Sequence, residues 1–348
     1  MEEMVRVVCD GMGGDNAPES VVQGVADALN AAPDIRVILV GQEEVLKEEL
    51  KKVTFDPARL ELVNATEVIE MAEPPANAIR KKKDSSIVVG MNLVREGKAD
   101  AFVTSGSTGA TLVGAMRLIG NIKGIMRTPL APLIPTENGV SLLVDCGANV
   151  DARPEHLVQF AEMGSIYMKY VMGVSDPKVA IVNNGAEEEK GNALVKATYP
   201  LLKEDASIHF VGSIEAREIP HGGADVIVCE AFTGNVILKL YEGVATTLLS
   251  AVKRGLMSSL RSKIGGLLIK PALKKTLKAF DANQYGGAPL LGLNGLVVKS
   301  HGSAKRVEIK NTILQCRTFM QQDINGKIKE NLKETAKKPE EGEKTDGI

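Results

Sequence analysis

Short apolar, β-branched runs recur along the chain, and helical patterns fall between most of them. The runs are Val5–Cys9, Ile35–Val40, Leu60–Val63, Ala101–Thr104, Leu130–Ile134, Ser141–Val144, Val179–Val182, Ile208–Val211 and Val226–Cys229. Helical stretches between them include Glu19–Asn30, Glu43–Lys51, Ser85–Glu96 and Pro154–Met172. A parallel pair of strands needs a crossover, usually a helix, which then covers one face of the sheet. The alternation therefore predicts an α/β fold: a largely parallel sheet with helices on both faces. No repeat of fixed period interrupts it.

The bulk properties exclude several classes. With 348 residues and a net charge of -2 there is no global basic field to hold nucleic acid. Aromatics make up 3% and Trp is absent, so base-stacking platforms are not expected either. Cys9, Cys146, Cys229 and Cys316 show no CxxC spacing, which suits reduced thiols in a cytosolic protein. Strand-like residues begin almost at once, so no signal peptide is expected. No apolar run is long enough to span a bilayer. From Asp323 onward the chain is charged and has few large apolar residues. Residues 1–330 are read as one compact unit, and 331–348 as a charged tail expected to be disordered.

Ligands of parallel α/β sheets bind at the carboxyl ends of the strands. Five runs here end in small polar loops: "CDGMGGDNAP" (9–18), "FVTSGSTGAT" (102–111), "LLVDCGANVD" (142–151), "AIVNNGAEEEKGN" (180–192) and "VIVCEAFTGN" (226–235). Glycine allows close backbone approach, and a helix start offers unpaired N–H groups. Any one such loop can be a tight turn, but five around one sheet edge point to an anion site. There is no GxxxxGK[ST], which disfavours a P-loop, and Asn16 stands where a GxGxxG motif needs its last glycine. No His/Cys cluster has zinc spacing.

Individual side chains carry competing readings. Asp10, Asp15 and Asp145 could meet around Mg²⁺, but helix capping and hydrogen bonds to loop amides are favoured. Cys9, Cys146 and Cys229 sit at strand ends without a neighbouring His, and are read as small buried hydrophobes rather than nucleophiles. His156 and His301 are read as capping or packing residues. Lys190, after a strand-end loop and before a helix, either pairs with a phosphate oxygen or balances Glu187, Glu188 and Glu189. Asn235 either donates to a developing oxyanion or caps the helix that follows.

Five stretches together, "DGMGGDNAP", "KADAFVTSGSTGA", "DCGANVDARPEHLVQFAEMGS", "EEEKGN" and "YGGAPLLGLNGLVVKSHGS", resemble the PlsX-type phosphate acyltransferases of bacterial phospholipid synthesis. The resemblance runs from the first strand to about Asp323. It implies transfer of a fatty acyl group from acyl-[acyl carrier protein] to inorganic phosphate, giving acyl phosphate without a cofactor or metal. It implies a fold similar to the isocitrate and isopropylmalate dehydrogenases and the phosphate acetyltransferases. It also implies a cytoplasmic homodimer held peripherally at the membrane surface, with a downstream glycerol-3-phosphate acyltransferase as a further partner. The residues matching the family's active-site loops are Lys190, for phosphate and transition-state charge, and Asn235, for the thioester or oxyanion. Asp10, Gly13, Gly14, Asp15, Asn16, Ser105, Ser107, Thr108 and Asn149 are the accompanying phosphate- and substrate-binding candidates. Gly11, Ser107, Cys146, Ala186 and Glu230–Ala231 depart from the usual pattern, which bears on substrate preference more than on the reaction. Two rivals are a hydroxy-acid dehydrogenase on the same fold and a non-catalytic scaffold.

Two basic stretches remain. "RKKKD", from Arg80, is a candidate patch for an acidic carrier protein. In "SSLRSKIGGLLIKPALKKTLKAF" (258–280), Leu260, Ile264, Leu267 and Leu268 recur at helical spacing, as do Leu273, Leu277 and Phe280, with basic residues between them. Pro271 is expected to divide the segment into two short amphipathic helices protruding to a membrane-facing tip. The alternative is that the apolar face packs on the body or on a second subunit.

Overall fold

The computed structural model describes residues 4–279 and 284–335. The first half of the chain runs β1 (Val5–Asp10), α1 (Glu19–Ala31), β2 (Ile35–Gly41), α2 (Glu43–Leu50), β3 (Leu60–Asn64), α3 (Pro75–Lys81), α4 (Ser86–Arg95), β4 (Ala101–Thr104) and α5 (Thr108–Gly114). It continues with β5 (Leu133–Thr136), β6 (Gly139–Val144), α6 (Pro154–Tyr170), β7 (Lys178–Asn183), α7 (Ala193–Glu204), β8 (His209–Glu215), β9 (Val226–Val228) and the long helices α8 (Ala231–Met257) and α9 (Leu260–Ala279). It then returns through β10 (Ala288–Leu290), β11 (Leu296–Lys299), α10 (Arg306–Gln321) and α11 (Ile324–Thr335).

The fold is α/β and largely parallel, but the strands form two sheets where the loop pattern suggested one. Their orders are β10-β11-β4-β1-β2-β3 and β5-β6-β9-β7-β8, with β10 and β5 the antiparallel members. The division falls inside one apolar run. Leu130–Ile134, expected as a single strand, is shared between the sheets. Ala131 N–H donates to Pro289 O at 3.0 Å and Leu130 bridges Leu290, while Leu133 and Ile134 pair with β6. Pro132 lacks the N–H that an uninterrupted ladder needs, and the run changes partners there.

Near-continuous apolar strands are what two buried faces require. Val7, Cys9, Val37, Leu39 and Val103 turn to one face and join a core containing Val22, Val25 and Leu29 of α1 and Ile309 and Ile313 of α10. Val8, Ile38, Val40 and Phe102 turn to the other, against Ile87, Val88 and Met91 of α4. The first of these cores extends through Leu142, Val144, Val179 and Val226, so a single apolar cluster holds both sheets. Beyond its first turns, α8 is exposed, and so is nearly all of α9.

Two expectations change. α9 runs through Pro271 without ending. A proline inside a helix leaves the carbonyl four residues earlier unpaired, and Leu267 is exposed, so water can reach that group. The compact unit also extends past residue 330. Ile324, Ile328 and Leu332, four residues apart, lay one stripe of α11 on the core, and the helix continues to Thr335. The remainder of the proposed tail, 336–348, lies outside the described residues.

The α1–α10 crossing depends on Gly24. A Cβ there would lie 2.5 Å from Ile309 Cβ and 2.8 Å from Arg306 O. Gly24→Ala should therefore cost about 1–3 kcal/mol through overpacking, although alanine is the better helix former. Urea unfolding measures this; equal or greater stability would mean that the helices have room at the crossing.

Candidate active site

Three loops meet at the carboxyl edge of the first sheet. Asp10 closes β1 and is buried; its carboxylate accepts from Thr104 Oγ1 at 2.6 Å and from Met12 N–H at 3.1 Å. Thr104 Oγ1 in turn accepts from Gly106 N–H at 2.9 Å. Gly13 passes so close that a Cβ would lie 2.3 Å from Asp10 Oδ2 and 2.7 Å from Gly106 N. Gly14 has φ +98°, open to glycine alone without strain. Asp15 N–H donates to Gly302 O at 2.8 Å, and the Asn16 amide donates to Ser303 O and Ala304 O at 2.9 and 3.2 Å. The β1–α1, β4–α5 and β11–α10 loops are thus sewn into one rim.

The third of these loops holds a residue not among the candidates from sequence. Lys299 closes β11 and is 7% exposed. Its ammonium donates to Ser105 O at 3.2 Å and to Ser300 O. Burial pushes its pKa down to about 8, while Glu308, Asp10 and Asp15 pull the other way. Beside it, the Ser105 hydroxyl is buried without a hydrogen-bond partner. The sequence signal was there, a lysine at the end of the apolar run "LVVK", but a basic residue at a strand end reads first as a solvated one.

The second sheet supplies the other three loops' worth of candidates from β6, β7 and β9, which lie side by side. Asp145, after β6, is fully buried. Its Oδ1 accepts from the N–H groups of Leu130, Gly147 and Ala148, and its Oδ2 from Asn149 N–H and the Asn149 amide. Burial pushes this carboxyl above its usual range, against the pull of those donors. Asn149 also donates to Thr128 O at 2.9 Å and accepts Ala231 N–H on its own carbonyl at 3.1 Å. Gly234 in α8 fits against this loop so tightly that a Cβ would lie 1.9 Å from Asp145 O. Asn235 follows it on the same helix. It is not the helix cap: Glu230 holds that place, accepting from Phe232 and Thr233 N–H at 2.6 and 3.0 Å.

Lys190 stands on the neighbouring β7–α7 loop. Its N–H donates to Glu187 O at 3.1 Å and its carbonyl accepts from the Asn183 amide at 3.3 Å, so its backbone is anchored while its side chain is exposed. Glu188 pairs with Lys203 at 2.9 Å. Asn192, not Lys190, caps α7.

The candidates therefore fall into two groups. Asp10, Gly13, Gly14, Asp15, Asn16, Ser105, Ser107 and Thr108 belong to the first sheet, and Asn149, Lys190 and Asn235 to the second. The segment 129–132 stitches the two together: Leu130 bridges β10, its N–H reaches Asp145, and its carbonyl accepts Cys146 N–H at 2.9 Å. Three candidates turn out to brace loops. The amide protons of Asn16 and Asn149 are taken by main-chain and carboxylate oxygens, and Ser107 caps α5 by accepting Ala110 N–H at 3.4 Å. Asp10 and Asp145 likewise serve loop donors. His156 Nδ1 accepts Arg153 N–H at 3.0 Å, and His301 Nδ1 lies 2.8 Å from Ser303 Oγ, both local capping contacts. All four cysteines are buried free thiols, and burial raises their pKa values, the opposite of an activated nucleophile. An open cavity of about 420 Å³, lined by Lys169, Asp176, His209 and Lys327, sits by the amino ends of β7 and β8, away from these loops.

Comparison with known proteins places the chain in a family. The family model for "fatty acid synthesis protein" matches residues 5–327. The chain is 48% identical over 328 residues to a putative phosphate acyltransferase of Clostridium perfringens, covering 94% of this chain and 97% of the relative. It is 46% identical over 329 residues to a phosphate acyltransferase of Halothermothrix orenii, covering 94% and 98%. Among solved structures, a phosphotransacetylase from Streptococcus pyogenes shares the fold with a TM-score of 0.58 and 20% identity, covering 91% of this chain and 94% of that one. The EutD phosphotransacetylase from Staphylococcus aureus does so with 0.57 and 19%, covering 90% and 94%. The family model and these relatives define an acyltransferase that acts on phosphate. The chain belongs to the phosphate acyltransferase family of fatty acid and phospholipid synthesis.

Asp145→Asn tests the brace of the second group. Either orientation of the new amide turns its NH₂ toward N–H donors, so at least one set loses its acceptor. The variant should lose at least about 2 kcal/mol of stability by urea unfolding; a change within error would show that the loop does not depend on this carboxylate.

Proposed function

We propose that the enzyme takes a fatty acyl group from acyl-[acyl carrier protein] and delivers it to inorganic phosphate, releasing acyl phosphate and the free carrier thiol. The observation that carries this reading is the placement of Lys190, on the β7–α7 loop, and Asn235, in the first turns of α8, after the adjacent strands β7 and β9, with no activated nucleophile among the described residues there. Phosphate is already an anion at neutral pH and attacks the thioester carbonyl itself. The protein's part is to hold the two reactants and to stabilise the oxyanion of the tetrahedral intermediate. Lys190 supplies positive charge to phosphate and to that transition state. Asn235 orients the thioester or donates to its oxygen. The tetrahedral intermediate collapses by reforming the carbonyl and expelling the carrier's thiolate, with phosphate the competing leaving group.

Several parts of the same reading concern place and partners. The enzyme is proposed to act as a cytoplasmic homodimer at the membrane surface, handing its product to a glycerol-3-phosphate acyltransferase. The Arg80–Lys83 patch is offered to an acidic carrier protein; within it Lys82 is engaged by Glu73 at 2.5 Å, which leaves Arg80, Lys81 and Lys83 as the exposed charges. The α8–α9 hairpin is proposed as the membrane contact. Leu260, Ile264, Leu267 and Leu268 are 63–78% exposed, and Leu273 and Leu277 lie further along the same helix. Phe280 lies outside the described residues. No described helix is long and apolar enough to cross a membrane, so the hairpin would lie in the interface.

Lys190→Ala and Asn235→Ala should each lower turnover by about 10²-fold or more with the fold retained, as removal of an oxyanion-type donor does. Turnover is read as acyl phosphate formed from acyl-carrier protein and phosphate; near-normal rates in both variants would retire the assignment.

Sedimentation with anionic liposomes tests the hairpin. Wild type should pellet with the vesicles, and Leu267→Glu/Leu268→Glu should remain in solution. Equal behaviour of the two proteins would remove the hairpin as anchor, and dissociation of the double variant into monomers would place the stripe in a dimer interface instead.

A further inference from the structure

Beyond Asn149, the stretch "DCGANVDARPEHLVQFAEMGS" runs on into α6, and the amino end of that helix carries an unmatched group. His156 is 2% exposed. Its Nδ1 accepts Arg153 N–H at 3.0 Å. A main-chain nitrogen only donates, so Nδ1 carries no proton, and the neutral ring keeps its proton on Nε2. Burial, with the guanidiniums of Arg153 and Arg127, holds the ring's pKa below its usual range and so keeps it neutral. Nε2 faces Arg153 Nη2 at 3.4 Å. A guanidinium has no lone pair to offer. Two donors therefore confront each other, and no described residue supplies an acceptor to either. A buried donor without an acceptor costs free energy; one oxyanion between the two would satisfy both.

Arg127 brings a second guanidinium to the same ring, from a segment whose main chain is fixed. Met126 N–H donates to Gln159 Oε1 on α6 at 2.9 Å, and the Gln159 amide donates to Gly124 O at 2.8 Å. On the other side of Arg127, Thr128 O accepts from the Asn149 amide at 2.9 Å. The segment is thus bound both to α6 and to the Asp145–Asn149 loop, while the Arg127 side chain is exposed. Among the described residues, neither Arg127 nor Arg153 has a carboxylate partner. Glu155 is the one carboxylate that acts on the His156 ring, and its influence is the smallest. α6 has 17 residues, so its amino end adds the positive end of a long helix dipole.

We propose that Arg127, Arg153 and the His156 Nε2–H hold a phosphoryl oxyanion at the amino end of α6, beside the loop that places Asn235. Two guanidiniums and a neutral N–H suit a tetrahedral anion gripped through more than one of its oxygens. This rests on the acyl-transfer reading in one respect, that both reactants bring such oxygens. The acceptor brings them as inorganic phosphate, and the donor in the phosphodiester that links its thioester arm to the carrier. The site grips its ligand in the ground state and the transition state alike. Uniform binding of this kind shows in KM and not in kcat.

The test is calorimetric titration of the purified protein with inorganic phosphate and, separately, with 4′-phosphopantetheine, alongside steady-state KM values for phosphate and for acyl-carrier protein. Arg127→Gln/Arg153→Gln changes two exposed side chains and should fold. It should weaken binding of one probe by about 10- to 100-fold, the loss expected of charged hydrogen bonds, and raise the KM of the matching reactant. An effect confined to phosphate assigns the site to the acceptor, and one confined to phosphopantetheine assigns it to the donor's arm; either upholds the site. His156→Phe keeps the bulk of the ring and should weaken the same probe by about 3- to 10-fold. A purely structural histidine predicts lower thermal stability with unchanged affinity, and that result overturns the proposal. Should His156→Phe fail to fold, the arginine pair decides. Affinity for both probes equal to wild type in the double arginine variant overturns the proposal even if the donor's KM rises, because the arginines would then meet the carrier's acidic surface and not a phosphoryl group. Wild type that binds neither probe at millimolar concentrations overturns it as well. Binding that responds as expected in a protein giving no acyl phosphate would uphold the site and overturn the acyl-transfer reading alone.

Discussion

One buried carboxylate holds the centre of this molecule together. Asp145 gathers the N–H groups of Leu130, Gly147, Ala148 and Asn149 and the Asn149 amide. Leu130 belongs to the segment that bridges β10 of one sheet, and Asn149 receives the start of α8. A single side chain thereby ties the seam between the sheets to the loop that places Asn235. Leaving such a carboxylate without donors in this interior would be expensive, and leaving those donors without it equally so. The arrangement is consequently stiff where the chemistry needs fixed positions.

The same economy explains what the polar loop residues do. A rim that holds an anion needs its own backbone held first, and Asp10, Asn16, Ser107 and Asn149 are spent on that. What is left facing outward is little: an exposed lysine on an anchored loop and an asparagine in the first turns of a helix. For a reaction in which phosphate is the nucleophile this is enough. The gain comes from orientation and charge rather than from a covalent step. The buried thiols, with their raised pKa values, are consistent with packing roles.

The α8–α9 hairpin stands apart from this logic. Its outer residues Val244, Leu248, Leu260, Leu267 and Leu268 are between 49% and 78% exposed. An apolar surface of that kind is uncommon on a lone soluble chain and marks an interaction site. Because Gly234 and Asn235 lie in the first turn or so of α8, whatever the hairpin touches is mechanically continuous with the candidate active site.

Class, most strand positions and most helices were legible in the sequence because both faces of these sheets are buried; β10 and β11 were not among the runs read as strands. Continuous apolar strands and amphipathic helices are local patterns, and burial on two faces writes them plainly. The glycine-rich loops at the strand ends were legible as loops for the same reason. Lys190 and Asn235 are proposed from their place in family motifs; local spacing left each with two readings. What only the tertiary structure decided were matters of long-range pairing. The run 130–134 divides its hydrogen bonds between partners more than a hundred residues apart on one side and about ten on the other, which no local pattern records. Lys299 was not singled out from the sequence, and its burial depends on β11 lying beside β4, next to Thr104 and Ser105. Pro271 looked like a helix end because propensity assumes that a broken hydrogen bond must be replaced by protein, and an exposed helix can use water. Sequence carries burial and backbone preference residue by residue; which polar groups end up sharing one pocket is set by the order of strands in the sheets.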